Sequence, residues 1–228
     1  MPGGVVDSLK GAVFWAPTTA LLYTRWALAT SISALPVLAH ALYTRKNLLN
    51  DLGGLFRVLN ALPLGRYCFS GLVAAFAPNN ASYAAVVTEL GEGKCECFQY
   101  DFPWYRNPFQ STHAVAIVSL GELASGLAVV ASLQRIPGVR GIPVRIEARY
   151  LQKLRGTAYA SVDASPVLEV VRSGGFRGGE HAFLTPIRNG AGQLCAEVTV
   201  TWSFQTKPAA SASAALVTGT ASRSYKSE

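Results

Sequence analysis

The sequence of 228 residues predicts an α+β fold in which one long apolar helix covers the apolar face of antiparallel strands. Three observations support this prediction. Residues 114–133 form an apolar run of helical length that contains a single acid, Glu122. Segments that alternate apolar and polar residues precede and follow the run, as is typical of half-buried strands. Hydrophobic residues make up 50% of the chain and charged residues 14%, which is enough apolar material for a real core.

The first 50 residues form an apolar extension that is predicted to be helical. The stretch between Arg25 and Arg45 contains no charged residue when His40 is neutral, and it approaches the length of a bilayer span. Two interpretations stay open for residues 11–45: a helix that contacts a membrane or docks on a partner, or a helix docked on its own domain. Few acids and scattered Ser and Arg residues are also compatible with mitochondrial targeting.

Two helices and a β-hairpin are predicted next. Leucine and phenylalanine recur every three or four positions over residues 48–59, which is typical of an amphipathic helix, and Pro63 ends that pattern. A second helix is expected over residues 67–77. Residues 82–90 and 95–102 flank a Gly-Glu-Gly-Lys turn, and this arrangement predicts a hairpin.

The run of residues 114–133 raises the question of a membrane span. A carboxylate at the centre of a span costs about 2.5–3.5 kcal/mol on insertion scales, and Glu122 occupies that position. The strands on both sides also need a helix to cover their apolar face. Small residues such as Gly121 allow a curved sheet to approach closely. A buried helix capped by Ser111 or Thr112 is therefore favoured over a membrane helix.

The rest of the domain is predicted as strands. Residues 142–151 alternate, with apolar residues at the even positions, and are expected to form a half-buried strand. Residues 156–164 form the next strand, and residues 165–179 are predicted as a loop. A final hairpin is expected from residues 180–189 and 193–206.

The chain thus divides into three predicted parts. Residues 1–50 are the apolar helical extension, residues 51–206 form one domain, and residues 207–228 are a tail rich in Ala and Ser. The composition of the tail does not support a packed core.

The charge balance and the cysteines exclude some functions. Basic residues outnumber acidic ones by 20 to 13, a net charge of +7 that favours anionic partners. No dense run of Lys and Arg interleaved with aromatic residues is present, so a nucleic-acid partner is not expected. Cys95 and Cys97 share one face of a strand, but two further ligands at metal spacing are not found. Free thiols in a reducing compartment, and no metal, are expected.

Asn107, His113 and Glu122, with the acid nine residues after the histidine, form a pattern that resembles the hotdog-fold thioesterase superfamily. More narrowly, it resembles an uncharacterised branch related to small acyl-CoA thioesterases. The segments RIEARYLQKLRGTAYASV and GQLCAEVTVTWSF resemble later strands of that family. The resemblance covers residues 50–206 and implies a hotdog fold, with a long central helix wrapped by a curved antiparallel sheet.

The resemblance also implies a homodimer with a continuous sheet and sites at the dimer interface. Glu122 would be the general base or nucleophile, and His113 and Asn107 would orient the thioester or the attacking water. Backbone N–H groups at the helix start, at Ala114 and Val115, would hold the oxyanion. Many active relatives carry two glycines there, so the oxyanion geometry departs from the family pattern.

Three further residues complete the predicted substrate site. Ser119 lies one helical turn before Glu122. Lys153 and Arg155 would form a basic lip for coenzyme A phosphates. No cofactor is expected beyond the coenzyme A carried by the substrate. The apolar surroundings of Glu122 are expected to raise the pKa of its carboxyl group.

Each assignment has a structural alternative. Glu122 would then be a hydrogen-bonded structural acid, and His113 would cap or fill the helix start. Lys153 and Arg155 would be solvated loop charges.

The sequence is compatible with two functions. The first is an acyl-thioester hydrolase acting on acyl-CoA or an acyl-carrier thioester, as a homo-oligomer. The alternative is a non-catalytic accessory subunit of a larger mitochondrial complex, associated with a membrane through its first residues; otherwise the chain is expected to be intracellular. A dehydratase or isomerase on acyl thioesters shares the fold but has less support in the sequence.

Overall fold

The structure is a computed structural model, and it describes Thr24 and residues 50–91, 93–173 and 178–206. The predictions for the apolar extension and the tail fall on residues that, apart from Thr24 and Asn50, lie outside these ranges.

The described domain contains five α-helices, one 3₁₀ turn and six strands. The helices are α1 (Leu52–Asn60), α2 (Gly65–Phe76), α3 (Pro78–Ala81), α4 (Ala114–Leu133) and α5 (Ser165–Arg172), and the 3₁₀ turn is Pro103–Tyr105. The strands are β1 (Ala85–Gly91), β2 (Lys94–Gln99), β3 (Val139–Tyr150), β4 (Ala158–Asp163), β5 (Gly179–Asn189) and β6 (Leu194–Thr206).

The six strands form one antiparallel sheet in the order β1-β2-β4-β5-β6-β3. The predicted hairpins are confirmed as β1–β2 and β5–β6. Along β6, alternate residues from Val198 to Phe204 are buried, as the sequence pattern predicts. They pack with α4 in a single hydrophobic core. The architecture is α+β, with a central helix held against a six-stranded sheet.

The long helix α4 is buried, as the sequence favours. By length and composition it could cross a membrane, with a mean hydropathy of 2.0, but 61% of that window is buried within the domain. Its close approach to β6 depends on Gly121. A Cβ at Gly121 would lie 2.5 Å from the Cβ of Val198.

Gly121→Ala is therefore expected to destabilise the domain by about 1–3 kcal/mol, because the added methyl group overpacks the contact with Val198. Gly126→Ala is the matched control on the same helix. A Cβ at Gly126 meets nothing closer than Glu122 Oε1 at 3.7 Å, so that variant is expected to gain up to about 1 kcal/mol from helix propensity. Urea denaturation of both variants measures the difference. A Gly121→Ala protein as stable as wild type would contradict the close packing.

The helices α1 and α2 cover α4 and β1. The Asp51 side chain caps α1 by accepting from Gly54 N–H at 2.9 Å, and it also pairs with Arg135 of the loop after α4 at 2.8 Å. Phe56 and Phe69 pack edge to face with ring centroids 5.1 Å apart. The predicted pair of helices separated near Pro63 is confirmed.

The predicted strand over residues 142–151 is confirmed as β3, but its predicted half-burial is wrong. β3 is an edge strand, and every residue from Ile142 to Tyr150 is exposed in the isolated chain. The register with β6 shifts between Pro143 and Arg145, which also interrupts the alternation of faces. The alternating apolar residues of β3 are thus left uncovered by the described chain.

The prediction of a loop over residues 165–179 is also wrong in its first half, where α5 lies. Pro166 stands in its first turn, and Leu168 and Val171 bury one face three residues apart. A helix of eight residues has only about two turns, so its apolar pattern is too brief to be recognised beside the Gly-rich segment that follows it.

Candidate active site

The open face of α4 carries the candidate catalytic acid. The side chains on this face are exposed or half-buried, whereas the other faces of the helix are packed against the sheet and α1. Glu122 stands at the middle of the face, and Ser119 precedes it by one turn. Val115 and Val130 occupy the two ends. A surface of this kind presents one carboxylate within an apolar stripe.

The Glu122 carboxyl group has a raised pKa, and its partial burial is the cause. Among the described residues no hydrogen bond or ion pair to this carboxylate is recorded, so nothing offsets the cost of ionising it there. A structural acid would normally be satisfied by a partner. The group is therefore suited to accept a proton at a pH nearer neutrality than an exposed glutamate.

The start of α4 is capped by His113, as the structural alternative for that residue predicts, and not by Ser111 or Thr112. His113 Nδ1 accepts from Val115 N–H at 3.2 Å, which requires the proton of the neutral ring to be on Nε2. Ser111 Oγ bonds to Asn107 Oδ1 at 3.2 Å and Thr112 N–H donates to the Leu154 carbonyl at 2.9 Å, so both residues are held outside the helix.

This cap decides which backbone donors are free. Val115 N–H is occupied by His113, so one of the two predicted oxyanion donors is already engaged. Within the described ranges, Ala114 N–H and Ala116 N–H have no recorded acceptor. They are the first-turn donors that a helix leaves unpaired, and the helix dipole favours negative charge beside them. Ala114 itself is exposed.

Asn107 organises the loop that precedes the helix. Its Oδ1 accepts from Phe109 N–H at 2.9 Å and from Ser111 N–H at 3.2 Å. Its backbone N–H donates to the Ser111 carbonyl at 2.8 Å. Gln110 takes a left-handed φ of 56° in this turn. The side-chain oxygen of Asn107 is thus committed to the loop, which makes it a positioning residue for the helix start.

Lys153 and Arg155 lie on the same loop, which supports their grouping in the sequence. Arg155 Nε donates to the Gln110 carbonyl at 3.1 Å, and Lys153 Nζ lies 5.6 Å from the centroid of the Phe109 ring. Both side chains remain exposed. Two cations therefore stand beside the start of α4, where the Ala114 N–H is free.

Sequence reasoning missed Tyr150 as a site residue. Its hydroxyl group donates to the Ala114 carbonyl at 3.2 Å, which ties the end of β3 to the start of α4. Burial raises the pKa of the Tyr150 hydroxyl group. The alternating pattern of the strand placed Tyr150 among the core-facing residues, so only the edge position of β3 reveals this contact.

His113 and Glu122 are not brought together within one chain. Nine residues of α-helix separate them by about 13 Å along the axis, at about 1.5 Å per residue. Glu122 and the free N–H of Ala114 are eight residues apart, which is about 12 Å along the same axis. A single thioester carbonyl can contact both groups only if two helices approach each other.

The described ranges contain no cluster of three or more His, Cys, Asp or Glu side chains suited to a metal ion. Cys95 and Cys97 are buried. The pKa of the Cys95 thiol is raised, mainly by the hydrogen bond with the Cys97 thiol and secondly by burial.

Comparison with known proteins places the fold. No curated protein matches the sequence. The structural-genomics protein APC5556 superposes with a TM-score of 0.56 and 22% identity, over 68% of this chain and 98% of that one. PA5026 of Pseudomonas aeruginosa, described as a probable thioesterase, superposes with a TM-score of 0.52 and 14% identity, over 60% and 93%. Its likeness, with the sheet and central helix, confirms the predicted hotdog fold.

A family model described as a domain of unknown function, DUF4442, matches residues 65–204, and the chain belongs to that family.

Proposed function

We propose that the protein is an acyl-thioester hydrolase related to the small acyl-CoA thioesterases. The observation that supports this most directly is Glu122, a half-buried carboxylate without a recorded partner in the described chain, with a raised pKa, on the open face of the central helix of a hotdog fold. Such a group can activate water against a thioester carbonyl, or attack that carbonyl itself.

In the general-base route, Glu122 takes a proton from water as the water oxygen attacks the thioester carbon. The carbonyl oxygen becomes an oxyanion, which the free N–H of Ala114 stabilises. When the tetrahedral species collapses, the carbon–sulfur bond breaks and the proton on Glu122 passes to the departing thiolate. The products are a carboxylic acid and a thiol. As nucleophile, Glu122 would attack the thioester carbon and expel the thiolate, which takes a proton from water. The resulting anhydride is then cleaved by water to the carboxylic acid and free Glu122.

The proposed active form is a dimer in which Glu122 of one protomer faces the helix start of the other. Two features support it. Glu122 and the Ala114 N–H of the same chain are separated by about 12 Å along α4, which favours a site shared between two chains. The exposed apolar edge of β3, with Ile142 56% and Ile146 45% exposed, is suited to pair with a second copy and extend the sheet.

Lys153 and Arg155 are proposed to meet the phosphates of coenzyme A. They stand beside the helix start, where the sulfur of the thioester would leave. Exposed cations of this kind attract an anionic carrier without fixing its acyl group.

The acyl-CoA panel tests the function. Purified full-length protein is incubated with straight-chain acyl-CoA esters, and thiol release is measured with a chromogenic disulfide. Turnover that depends on Glu122 supports the proposal. An absence of turnover on every ester, with the protein folded and dimeric, would refute it.

The dimer gives a separate prediction. Ile146→Lys places a charge on the exposed edge strand, so it is expected to shift the protein to monomers and to lower thioester hydrolysis at least about tenfold. Leu184→Lys is the matched control, because Leu184 is 53% exposed on β5, away from that edge. Sedimentation velocity measures the oligomeric state. An Ile146→Lys protein that stays dimeric would place the interface elsewhere.

A second candidate is a non-catalytic accessory subunit, and the engaged Val115 N–H favours it, because one oxyanion donor is lost to His113. A mitochondrial location and membrane contact through residues 11–45 belong to this alternative, and they rest on sequence that, apart from Thr24, lies outside the described ranges. Co-purification within a larger particle, together with no thioester hydrolysis, would support it.

A further inference from the structure

An apolar groove of about 270 Å³ lies between α1, α2 and α4. Every residue that lines it is apolar, including Leu52 and Leu55 of α1, Leu72 and Val73 of α2, and Leu127 of α4. Phe76 also lines the groove, and it is 67% exposed. An uncovered apolar surface of this kind is typical of a site that an apolar partner covers.

The walls of the groove are helices, so its shape suits the side chains of a further helix. The side chains of one helix pack as ridges into the grooves between those of its neighbours. A helix bound in this way is held by apolar residues spaced three and four positions apart. A polar ligand would lose its hydrogen bonds to water without replacement, because no side chain of the lining donates or accepts one.

The chain carries an apolar segment of this kind before the groove. Residues 26–44 contain no Asp, Glu, Lys or Arg, and they lie outside the described ranges. In a helix, Leu35, Leu38 and Leu42 share one face, because they are spaced by three and four positions. Pro36 is tolerated in the first turn of such a helix. The segment thus has the spacing of side chains that the groove suits.

The connection between the segment and the groove allows the chain to fold back. Leu52 is the first groove residue in the sequence, and it follows Leu42 by ten residues. Ten residues span up to about 36 Å when extended. The nine residues of α1 are about 14 Å long, so Leu42 can reach any point along that wall. A tethered segment meets its site at an effective concentration in the mM range, which a separate partner would have to exceed.

The point where the segment joins the domain is fixed next to the groove. Asp51 pairs with Arg135 at 2.8 Å, and Leu52 N–H donates to Gln134 Oε1 at 2.8 Å. Both bonds tie the start of α1 to the loop that follows α4. The wall that α1 supplies also lies outside the DUF4442 match, which begins at residue 65. The wall and the segment are therefore neighbours in sequence, and both precede the matched region.

We propose that residues 26–44 dock in the groove of the same chain and that Leu35, Leu38 and Leu42 supply the side chains that enter it. The apolar extension then covers its own domain and is not free to span a bilayer. The inference does not rest on the proposed hydrolase, and neither the groove nor the segment contains a proposed catalytic residue.

Disulfide trapping on the full-length protein tests the docking. Val73→Cys is combined with Leu35→Cys, Leu38→Cys or Leu42→Cys, one at a time, and the native cysteines of the described chain are buried. Copper–phenanthroline with dissolved oxygen takes two electrons and two protons from the paired thiols. At least one pair is expected to form a disulfide within one chain at least about tenfold faster than its control pair. The control replaces Val73→Cys with Val170→Cys, which is 52% exposed on α5 and outside the groove.

A second measurement does not depend on the position of a cysteine. Leu38→Asp and Leu42→Asp each bring a carboxylate to the groove, so each is expected to lower the thermal midpoint by about 4 °C or more. His40→Asp is the matched control, because it adds the same charge to the opposite face of the same helix. Its midpoint should stay close to that of wild type.

Three results would overturn the inference. Equal disulfide rates for the groove and control pairs, with unchanged midpoints for Leu38→Asp and Leu42→Asp, would show that the segment does not dock. Disulfides that join two chains would assign the groove to the segment of a second copy. Flotation with vesicles of phosphatidylcholine and phosphatidylserine, with loss of the disulfide within one chain, would assign the segment to a membrane.

Discussion

Glu122→Gln is expected to lower kcat/KM for acyl-CoA esters by about 10²- to 10⁴-fold, the usual contribution of a general base. The amide keeps the shape of the side chain but can neither accept the proton of water nor attack the carbonyl. Glu169→Gln, on the exposed face of α5, is the matched control and should retain wild-type rates. Equal rates for wild type and Glu122→Gln would remove Glu122 from the mechanism.

The same substitution is expected to raise stability at about pH 8, because it removes a carboxylate that burial disfavours. The sign follows from the raised pKa. The folded state holds the proton more tightly than the unfolded state, so ionised Glu122 costs stability above the folded pKa. Below the ordinary value of 4.5 both states are protonated, and the gain should vanish. Thermal midpoints of both proteins at the two pH values test this.

The pH dependence of thioester hydrolysis should reflect the raised pKa of Glu122. For wild type, kcat/KM is expected to fall as the pH decreases through the raised pKa of Glu122, which lies above 4.5. An acidic limb at or below the pKa of an exposed glutamate would contradict the assignment.

Ala114→Pro is expected to lower kcat by about 10²- to 10³-fold, because it removes the backbone N–H that is proposed to hold the oxyanion. Proline is well tolerated at the first helical position, where its missing N–H is unpaired in any case. The preceding residue, His113, has φ −63° and ψ 140°, the extended conformation that a following proline favours. The fold should therefore survive.

Ala114→Ser is the matched control, because it changes the side chain at the same position and keeps the backbone N–H. The thermal midpoints of both variants should stay close to that of wild type. A fully active Ala114→Pro protein would move the oxyanion site away from the helix start, with Ala116 N–H as the remaining free donor in the first turn.

Much of the fold could be predicted because the spacing of apolar residues along the sequence reveals helices and strands that pack within one chain. The buried helix α4 and the β5–β6 hairpin follow from this. The strand β3 was predictable but its exposure was not, because an alternating pattern shows an apolar face without showing which element covers it. The candidate catalytic acid was also predictable, because Glu122 is the only acid in the apolar helix.

The bonds around that site were not predictable. Asn107 and His113 carry side chains that serve either a substrate or the local backbone, and the structure shows both engaged with the backbone. The choice depends on the turn at Gln110 and on the first residue of α4, which sequence patterns locate only to within one or two residues.

Glu122 of one protomer is proposed to act with the Ala114 N–H of the other. Co-expression of Glu122→Gln and Ala114→Pro chains with different tags, followed by purification on both tags, gives the heterodimer. One of its two sites then contains both native groups, so about half of the wild-type activity is expected. A heterodimer no more active than its two parent variants would contradict a shared site.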